Sequence, residues 1–441
     1  MTRSTRSLAL AVLAPLLPIG GCGDDATPSA APDGAVASCT TTAVGGMGVL
    51  HDFCPPTPPG GGGILLSASG EVLALGGYRF PPASADDVAF VDGWDITYDR
   101  VLTTFDHITL SLGPNKSPTD QSQCDDGHGG ATTCGTGDSV VAEVDGPFAV
   151  DLHKGGPLPG AGGGDEQAVA VAALTGQNKR SNAAFDPTTH YAFGFEVVPA
   201  AAAAQNVNLD AADLADYQAM IAKGYTTLLV GTAVWNGNNN GELTSAGCTQ
   251  TQVTPAYDFS VLPRTVKFKL GLAAPTIYRN AQNPANDPAA ALGDEEHARG
   301  IAVVANQATT AQLTFHLDHV FWESFVHDSP AHFDPFAARL AGVTDPPALT
   351  LEDFKGATIA PFVDAQGHQV PWRSCLPTDQ YVPPAGGAMT FDTLTVPINP
   401  TGNPATAIRD FYDYTLYNHS TFGHLNSDGL SFVDRQYLSP P

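Results

Sequence analysis

The chain has 441 residues, 43% of them hydrophobic, so it is long enough to bury a sizeable core in one large domain or two smaller ones. Its formal net charge is −26, and so acidic a surface repels nucleic-acid phosphates, which excludes a nucleic-acid-binding role. The 46 glycines, 36 prolines and 15% charged residues favour a turn-rich, mainly β fold: an antiparallel sandwich or barrel-like domain with a few short helices.

The first residues have the layout of an export signal. Arg3 and Arg6 precede an apolar stretch over 8–19, which is too short to cross a bilayer as a stable helix. Two glycines and Cys22 follow, and this pattern resembles the lipobox of bacterial lipoproteins. The resemblance implies a signal peptide over 1–21 and lipidation of Cys22 as a membrane anchor. Since no aspartate directly follows Cys22, the outer membrane of the cell envelope is the expected location.

The next segment, 22–62, is predicted to be a flexible tether. It is rich in Gly, Ala, Pro, Ser and Thr and ends in a proline-rich run followed by four glycines. The rest of the chain, 63–441, is predicted to be a β-rich globular region. It forms one large domain or two closely packed ones, with a possible boundary near 275–300.

Short apolar or alternating runs from Ile64 onward predict strands. They lie at 64–75, 89–112, 139–151, 167–175, 189–199, 225–235, 264–272, 300–305 and 310–322. The first of these is a strand pair or one long strand, with Gly70 at a turn. Between them, residues 211–223 have helical spacing, with Asp210 as the expected cap and Gly224 as the expected stop. Residues 333–340 and 405–417 are further helix candidates.

Six cysteines remain once Cys22 is lipidated, and an even number in an exported chain predicts disulfides. None lies in a CxxC motif, so neither a thioredoxin-like pair nor a zinc knuckle is supported. The sequence leaves the connectivity open, and one arrangement pairs Cys39 with Cys54, Cys124 with Cys134, and Cys248 with Cys375.

Candidate metal ligands concentrate in the predicted strand over 310–322. His316 and Asp318 would lie side by side on one face of that strand, and a bend at its end could bring His319 to the same side. Upstream, His297 follows three carboxylates and could add a ligand. Imidazole and carboxylate groups at this spacing favour copper or zinc over calcium. A structural hydrogen bond between a histidine and an aspartate on an exposed strand face is the alternative.

Two other polar stretches are less informative. Residues 236–241 open like a calcium loop but lack the terminal glutamate, so a hairpin turn is favoured. Residues 412–429 concentrate aromatic, histidine and aspartate side chains. A helix followed by a polar turn is the favoured interpretation, and completion of the histidine site from another strand is the alternative.

Signatures of common hydrolases are absent from the sequence, which contains no GxSxG, SxxK or Walker A motif. A secreted metal-dependent hydrolase would need a carboxylate base near the metal, and the candidates are Glu295, Glu296 and Glu323.

Two motifs carry a further resemblance. FVDGWDI (90–96) and the segment with HLDH (316–319), FW (321–322) and FDPFAA (333–338) resemble an uncharacterised group of myxobacterial-type lipoproteins. A looser similarity links the chain to copper-associated periplasmic proteins of methanobactin systems, which place a histidine-containing strand in a β-rich domain. The resemblance implies an envelope lipoprotein without a known activity.

The resulting expectation is a non-enzymatic, lipid-anchored envelope protein that binds copper or zinc. Its predicted ligands are His316, Asp318, His319 and His297. One alternative is a structural or interaction lipoprotein without metal, whose partner is an envelope protein or polymer. The other is the metal-dependent hydrolase.

Overall fold

The computed structural model describes residues 50, 62–84, 87–111, 140–161, 166–174, 184–237, 247–281, 301–304, 306–325, 329–377, 379–391, 408–426 and 434–437. Several predicted features lie outside these ranges: the signal peptide, Cys22, His297, Glu295, Glu296, and the cysteines at 39, 54, 124 and 134. The tether over 22–62 also lies outside them, except for Leu50 and Gly62. The possible domain boundary near 275–300 stays a prediction.

Strands dominate the described residues, as the sequence predicts. They are β1 Gly63–Ser69, β2 Trp94–Ser111, β3 Val140–Val144, β4 Phe148–Asp151, β5 Leu158–Pro159, β6 Gln167–Leu174, β7 His190–Val197, β8 Gln205–Asn206, β9 Thr227–Trp235, β10 Thr249–Gln250, β11 Thr265–Leu272, β12 Thr276–Ala281, β13 Ile301–Ala302, β14 Ala308–Phe315, β15 Arg373–Ser374, β16 Gly423–Leu425 and β17 Asp434–Tyr437.

Helices are short. The α-helices are α1 Glu71–Gly76, α2 Leu214–Lys223, α3 Asp334–Ala338 and α4 Phe411–His419, and 3₁₀ helices cover Phe259–Val261, Leu317–Phe321 and Leu351–Phe354. The predicted break at Gly70 is present, but the residues after it form α1 and not a second length of strand. The helix predicted over 211–223 begins three residues later, so Asp213 and not Asp210 is its N-cap, and Gly224 ends it in the left-handed conformation as expected.

The strands form two large sheets, in agreement with the predicted mainly β, sandwich-like class. In the larger, the order β11-β9-β2-β7-β12-β17 runs antiparallel, and β3, β4, β8 and β13 join its margins. In the smaller, the order is β16-β14-β1-β6-β5. Its β1–β14 pair is parallel, so the pairing is not antiparallel throughout.

Aromatic rings join the two sheets. Phe315 at the end of β14 lies 5.9 Å from Phe105 of β2 and 6.0 Å from Phe195 of β7, measured between ring centroids. All three side chains are buried. Each such pair contributes about 0.5–1.5 kcal/mol beyond the area that it buries. The end of β14 is therefore fixed by the core of the protein.

The two motifs behind the lipoprotein resemblance meet in one buried polar cluster. Asp92 accepts hydrogen bonds from the backbone N–H groups of Phe333 and Asp334, at 2.8 and 2.6 Å. The Trp94 indole donates to Asp334 at 2.9 Å, and the Arg373 guanidinium donates to both oxygens of the same carboxylate. These residues hold α3 against the start of β2.

Arg373 is itself enclosed by rings. Its guanidinium lies 4.2 Å from the centre of the Phe259 ring and 4.8 Å from that of Trp235. The side chains of Arg373 and Asp334 are about 1% and 0% exposed, so neither charge can be solvated by water if the other is removed.

Replacing Asp334 with Ala should therefore lower the free energy of unfolding by about 3–5 kcal/mol, since it leaves a buried guanidinium without its partner. Urea unfolding of the full chain measures this. The matched control is Glu352→Gln in the exposed pair with Lys355, where the expected change is below about 1 kcal/mol. Equal effects in the two variants would contradict the assigned role of Asp334.

His332 adds a second charge to the cluster. Its Nε2 lies 2.6 Å from Glu323, which also accepts a hydrogen bond from the Tyr381 hydroxyl at 2.8 Å, and its Nδ1 lies 3.7 Å from Asp92. Burial opposes the charged imidazole, but the carboxylates of Asp92 and Glu323 outweigh it and raise the pKa of His332 to about 9. The imidazole is thus charged at neutral pH.

This raised pKa makes stability depend on pH in a defined direction. The charged His332 contributes about 3 kcal/mol to the free energy of unfolding. This contribution is complete below the unfolded pKa of about 6.5 and is lost as the pH rises through the folded pKa. Urea unfolding at about pH 6 and about pH 9.5 should show this loss in the wild type and not in His332→Gln. Parallel pH dependence in the two proteins would contradict the assignment.

A disulfide joins two loops beside this cluster. Cys248 and Cys375 are bonded, with an S–S distance of 1.98 Å, which confirms one pair of the predicted arrangement. Gly93 adopts a φ of +92°, and a Cβ there would lie 2.5 Å from Gly237 Cα and 2.9 Å from Cys375 Sγ. The close approach of these loops therefore requires glycine in the DGW motif.

Candidate metal centre

The predicted ligand strand ends earlier than the sequence suggests. β14 stops at Phe315, and a 3₁₀ helix begins at Leu317. The expectation that His316 and Asp318 share a strand face is therefore wrong. A 3₁₀ helix has three residues per turn, so side chains three positions apart lie on the same side. The rings of His316 and His319 accordingly meet, with centroids 5.4 Å apart.

A third imidazole reaches this pair from the C-terminal part of the chain. β16 is antiparallel to β14, with Thr314 opposite His424, and the backbone N–H of His316 donates to the Phe422 carbonyl at 2.8 Å. The His424 ring lies 4.5 Å from that of His316 and 5.4 Å from that of His319. The stretch over 412–429 thus contains both the expected helix and a histidine that extends the site.

The three histidines form a compact group of metal-ligand type. One ring nitrogen of each lies within 4.8 Å of those of the other two. His319 and His424 are buried, and the side chain of His316 is 15% exposed. Asp318 is not part of this group, and the predicted ligand His297 lies outside the described residues.

Hydrogen bonds define the tautomer of His319. The Thr421 hydroxyl donates to the Asn418 carbonyl at 2.6 Å, so its single proton is used there. The His319 Nδ1 lies 2.7 Å from the same hydroxyl oxygen and must donate to it. The lone pair of the neutral ring is then on Nε2, which is the form in which imidazole binds a metal.

The carboxylate of Glu71 lies next to His316. Glu71 Oε1 lies 3.3 Å from His316 Nε2. Glu71 has a φ of 59°, in the left-handed region, and its backbone N–H donates to the Ser69 hydroxyl at 2.9 Å. Left-handed residues other than glycine cost about 1–3 kcal/mol and concentrate at functional sites. Glu71, which the sequence analysis did not consider, can orient His316 or supply an oxygen ligand.

Asp318 affects the three-histidine group indirectly, through Trp322. It is partly buried and accepts a hydrogen bond from the Trp322 indole at 2.8 Å, and loss of solvation raises the pKa of its carboxyl group. The Trp322 ring lies 3.7 Å from that of His319. Asp318 therefore positions the indole that covers His319.

Helix α4 also holds Trp322 in place. Tyr414 and Asn418 both donate hydrogen bonds to the Trp322 carbonyl, at 3.3 and 3.2 Å. The 3₁₀ segment is thus held by β14 at one end and by α4 at the other. Glu323, one of the carboxylates considered as a hydrolytic base, is engaged by His332 and Tyr381 instead.

Comparison with protein-family models, with curated proteins and with solved structures finds no match to this chain. The resemblance to myxobacterial-type lipoproteins therefore stays a prediction based on the quoted motifs. Among the described residues, no helix is long and apolar enough to cross a membrane.

The tautomer assignment is directly testable. Long-range ¹H–¹⁵N NMR of the metal-stripped protein should show the proton of His319 on Nδ1. Thr421→Val removes the acceptor and should give a mixture of tautomers, whereas Thr421→Ser keeps the hydroxyl and should preserve the wild-type pattern. A proton on Nε2 in the wild type would contradict the assignment.

Proposed function

We propose that this chain is a lipid-anchored envelope protein that binds one transition-metal ion, copper or zinc, through His316, His319 and His424. The observation that carries the proposal is the convergence of three imidazoles, from β16 and from the end of β14, within 4.8 Å. Asp318 enters the proposal as a residue that supports the site rather than as a ligand.

The donor set favours these metals over others. Imidazole nitrogen is a borderline ligand that suits copper and zinc, whereas calcium and magnesium prefer oxygen. Three histidines leave a fourth coordination position, which Glu71 or an exogenous molecule could occupy. Such a site is compatible with storage or transfer of the ion and equally with chemistry at the open position.

The predicted export signal is the reason for proposing a location in the cell envelope. A lipobox-like segment ending at Cys22 implies anchoring in the envelope, and a disulfide between Cys248 and Cys375 is typical of an oxidising compartment. The acidic surface of the chain would also attract cations.

Elemental analysis of the full chain, extracted in detergent and purified without a histidine tag, tests the proposal. We expect His319→Gln/His424→Gln to contain about one copper or zinc per chain fewer than the wild type, since two of the three imidazole donors of the centre are lost. His368→Gln is the matched control, because that imidazole is 67% exposed and remote from the three-histidine group.

Two outcomes would contradict metal binding at this site. One is equal metal content in the wild type and the double variant, with circular dichroism showing that both are folded. The other is a wild type that neither contains copper or zinc nor takes either up at micromolar concentration. Either result would favour a structural or interaction lipoprotein.

Thr421 offers a test that keeps all three ligands. Thr421→Val should weaken metal binding by about 10–100-fold, because the residue that orients His319 is lost. Thr421→Ser should bind like the wild type. Competition titration against a chromophoric chelator measures both affinities, and equal affinities for Val and Ser would remove the positioning role.

A further inference from the structure

A second group of ligand-type side chains lies where β2 pairs with β3. In this antiparallel pair, Ile108 is opposite Val144 and Thr109 is opposite Glu143. His107 therefore lies next to the position of Asp145, and side chains two residues apart, such as Glu143 and Asp145, share one face of a strand. The sequence analysis predicted both strands but did not single out these three residues.

The distances in this group have the size of a coordination shell. His107 Nδ1 lies 3.5 Å from Glu143 Oε1 and 3.6 Å from Asp145 Oδ1, and one ligand atom of each residue lies within 4.8 Å of the others. These separations are longer than a usual charge-assisted hydrogen bond of about 2.7–2.9 Å. They are close to the ligand–ligand separation of about 3.4 Å in a tetrahedral site with metal–ligand bonds of about 2.1 Å.

Two further carboxylates, those of Asp106 and Glu196, lie near His107. Asp106 accepts hydrogen bonds from the backbone N–H groups of His107 and Gly146, at 2.7 and 2.5 Å, and its other oxygen lies 3.9 Å from His107 Nε2. Glu196 is opposite Asp106 in the pairing of β2 with β7. Four carboxylates thus surround one imidazole.

The group is accessible from solvent. Arg279 lies 3.7 Å from Glu196 Oε1 and pairs with that carboxylate. Asp145 is 57% exposed and His107 is 39% exposed, so an ion could enter from solvent. A cation at this place would reduce the mutual repulsion of the carboxylates.

We infer that His107, Glu143 and Asp145 form a second divalent-cation site, of zinc type, that is independent of the three-histidine centre. Imidazole nitrogen and carboxylate oxygen are both zinc ligands, and three protein ligands with a solvent-facing fourth position are the arrangement of an open zinc site. A calcium site would require six to eight oxygen ligands, which this group does not supply. The simpler state, a protonated His107 paired with its carboxylates, is the competing outcome.

Zinc titration by calorimetry distinguishes a zinc-binding site from a protonated His107 that only pairs with its carboxylates. The full chain is stripped with a chelator and compared with three variants: His319→Gln/His424→Gln, His107→Asn/Asp145→Asn, and the combination of all four changes. Asn at position 107 keeps the left-handed backbone conformation, which has a φ of 47°. Asp145→Asn alone, at an exposed position, is the variant least able to disturb the fold.

We expect two zinc ions per wild-type chain, one in each double variant and none in the quadruple variant. Asp145→Asn alone should weaken the second site by at least about tenfold. The matched control, His368→Gln with Glu352→Gln, also replaces one histidine and one carboxylate by amides, at exposed positions, and should retain both ions.

Comparison of the two double variants distinguishes a failure of the second site from a failure of the three-histidine centre. If His319→Gln/His424→Gln abolishes all zinc binding, the second site is overturned and the three-histidine centre stands. If the variants at 107 and 145 bind zinc with wild-type affinity and stoichiometry, His107 is only an ion-pair partner. If zinc binding survives in the first double variant and disappears in the second, the second site stands and the three-histidine centre does not bind zinc.

Discussion

The packing of Phe315 is the constraint on which the rest of the architecture depends. Its ring contacts Phe105 and Phe195 of the larger sheet and lies 5.0 Å from Phe422, which precedes β16. The backbone on either side of this anchor belongs to different structures: β14 before it and a 3₁₀ helix after it. Because the next residue is His316, the hydrophobic core that joins the two sheets also positions the first imidazole of the candidate centre.

A buried cluster of charges stabilises the region beside this anchor. Arg373 donates to Asp334, and Asp92 accepts from the backbone N–H groups of Phe333 and Asp334 at the start of α3. Isolated charges at this depth would be strongly unfavourable, but each has a hydrogen-bonded partner, so the cluster fixes one relative placement of its segments. These contacts give the DGW and FDPFAA motifs a structural role.

The two proposed cation sites differ in the chemistry of their surroundings. The three-histidine centre is largely buried, is covered by Trp322 and contains nitrogen donors. The group at His107 lies where β2 pairs with β3, is partly exposed to solvent and is rich in carboxylates. The surroundings of the three-histidine centre suit selective retention of a borderline metal, and those of the group at His107 suit looser binding that responds to the concentration of the free ion.

Local sequence patterns account for much of the fold. Alternating apolar residues predicted the long strand β2 at 94–111, and helical spacing ended by Gly224 predicted most of α2. After Gly70 and after His316 the same reasoning failed, because apolar residues continue past both points while the backbone becomes helical. Periodicity reports which residues are buried, and a buried 3₁₀ or short helical segment resembles a strand in that respect.

The sequence by itself determined the mainly β class and the histidine-rich stretch that begins at His316, because each depends on residues close together in the chain; the export signal, read in the same way, stays a prediction. Only the tertiary structure decided the membership of the candidate centre. The register of β16 against β14 brings His424 to the site, and the three-residue turn of the 3₁₀ helix brings in His319 while turning Asp318 toward Trp322. Contacts between distant segments are set by the packing of the whole core, which no local spacing specifies.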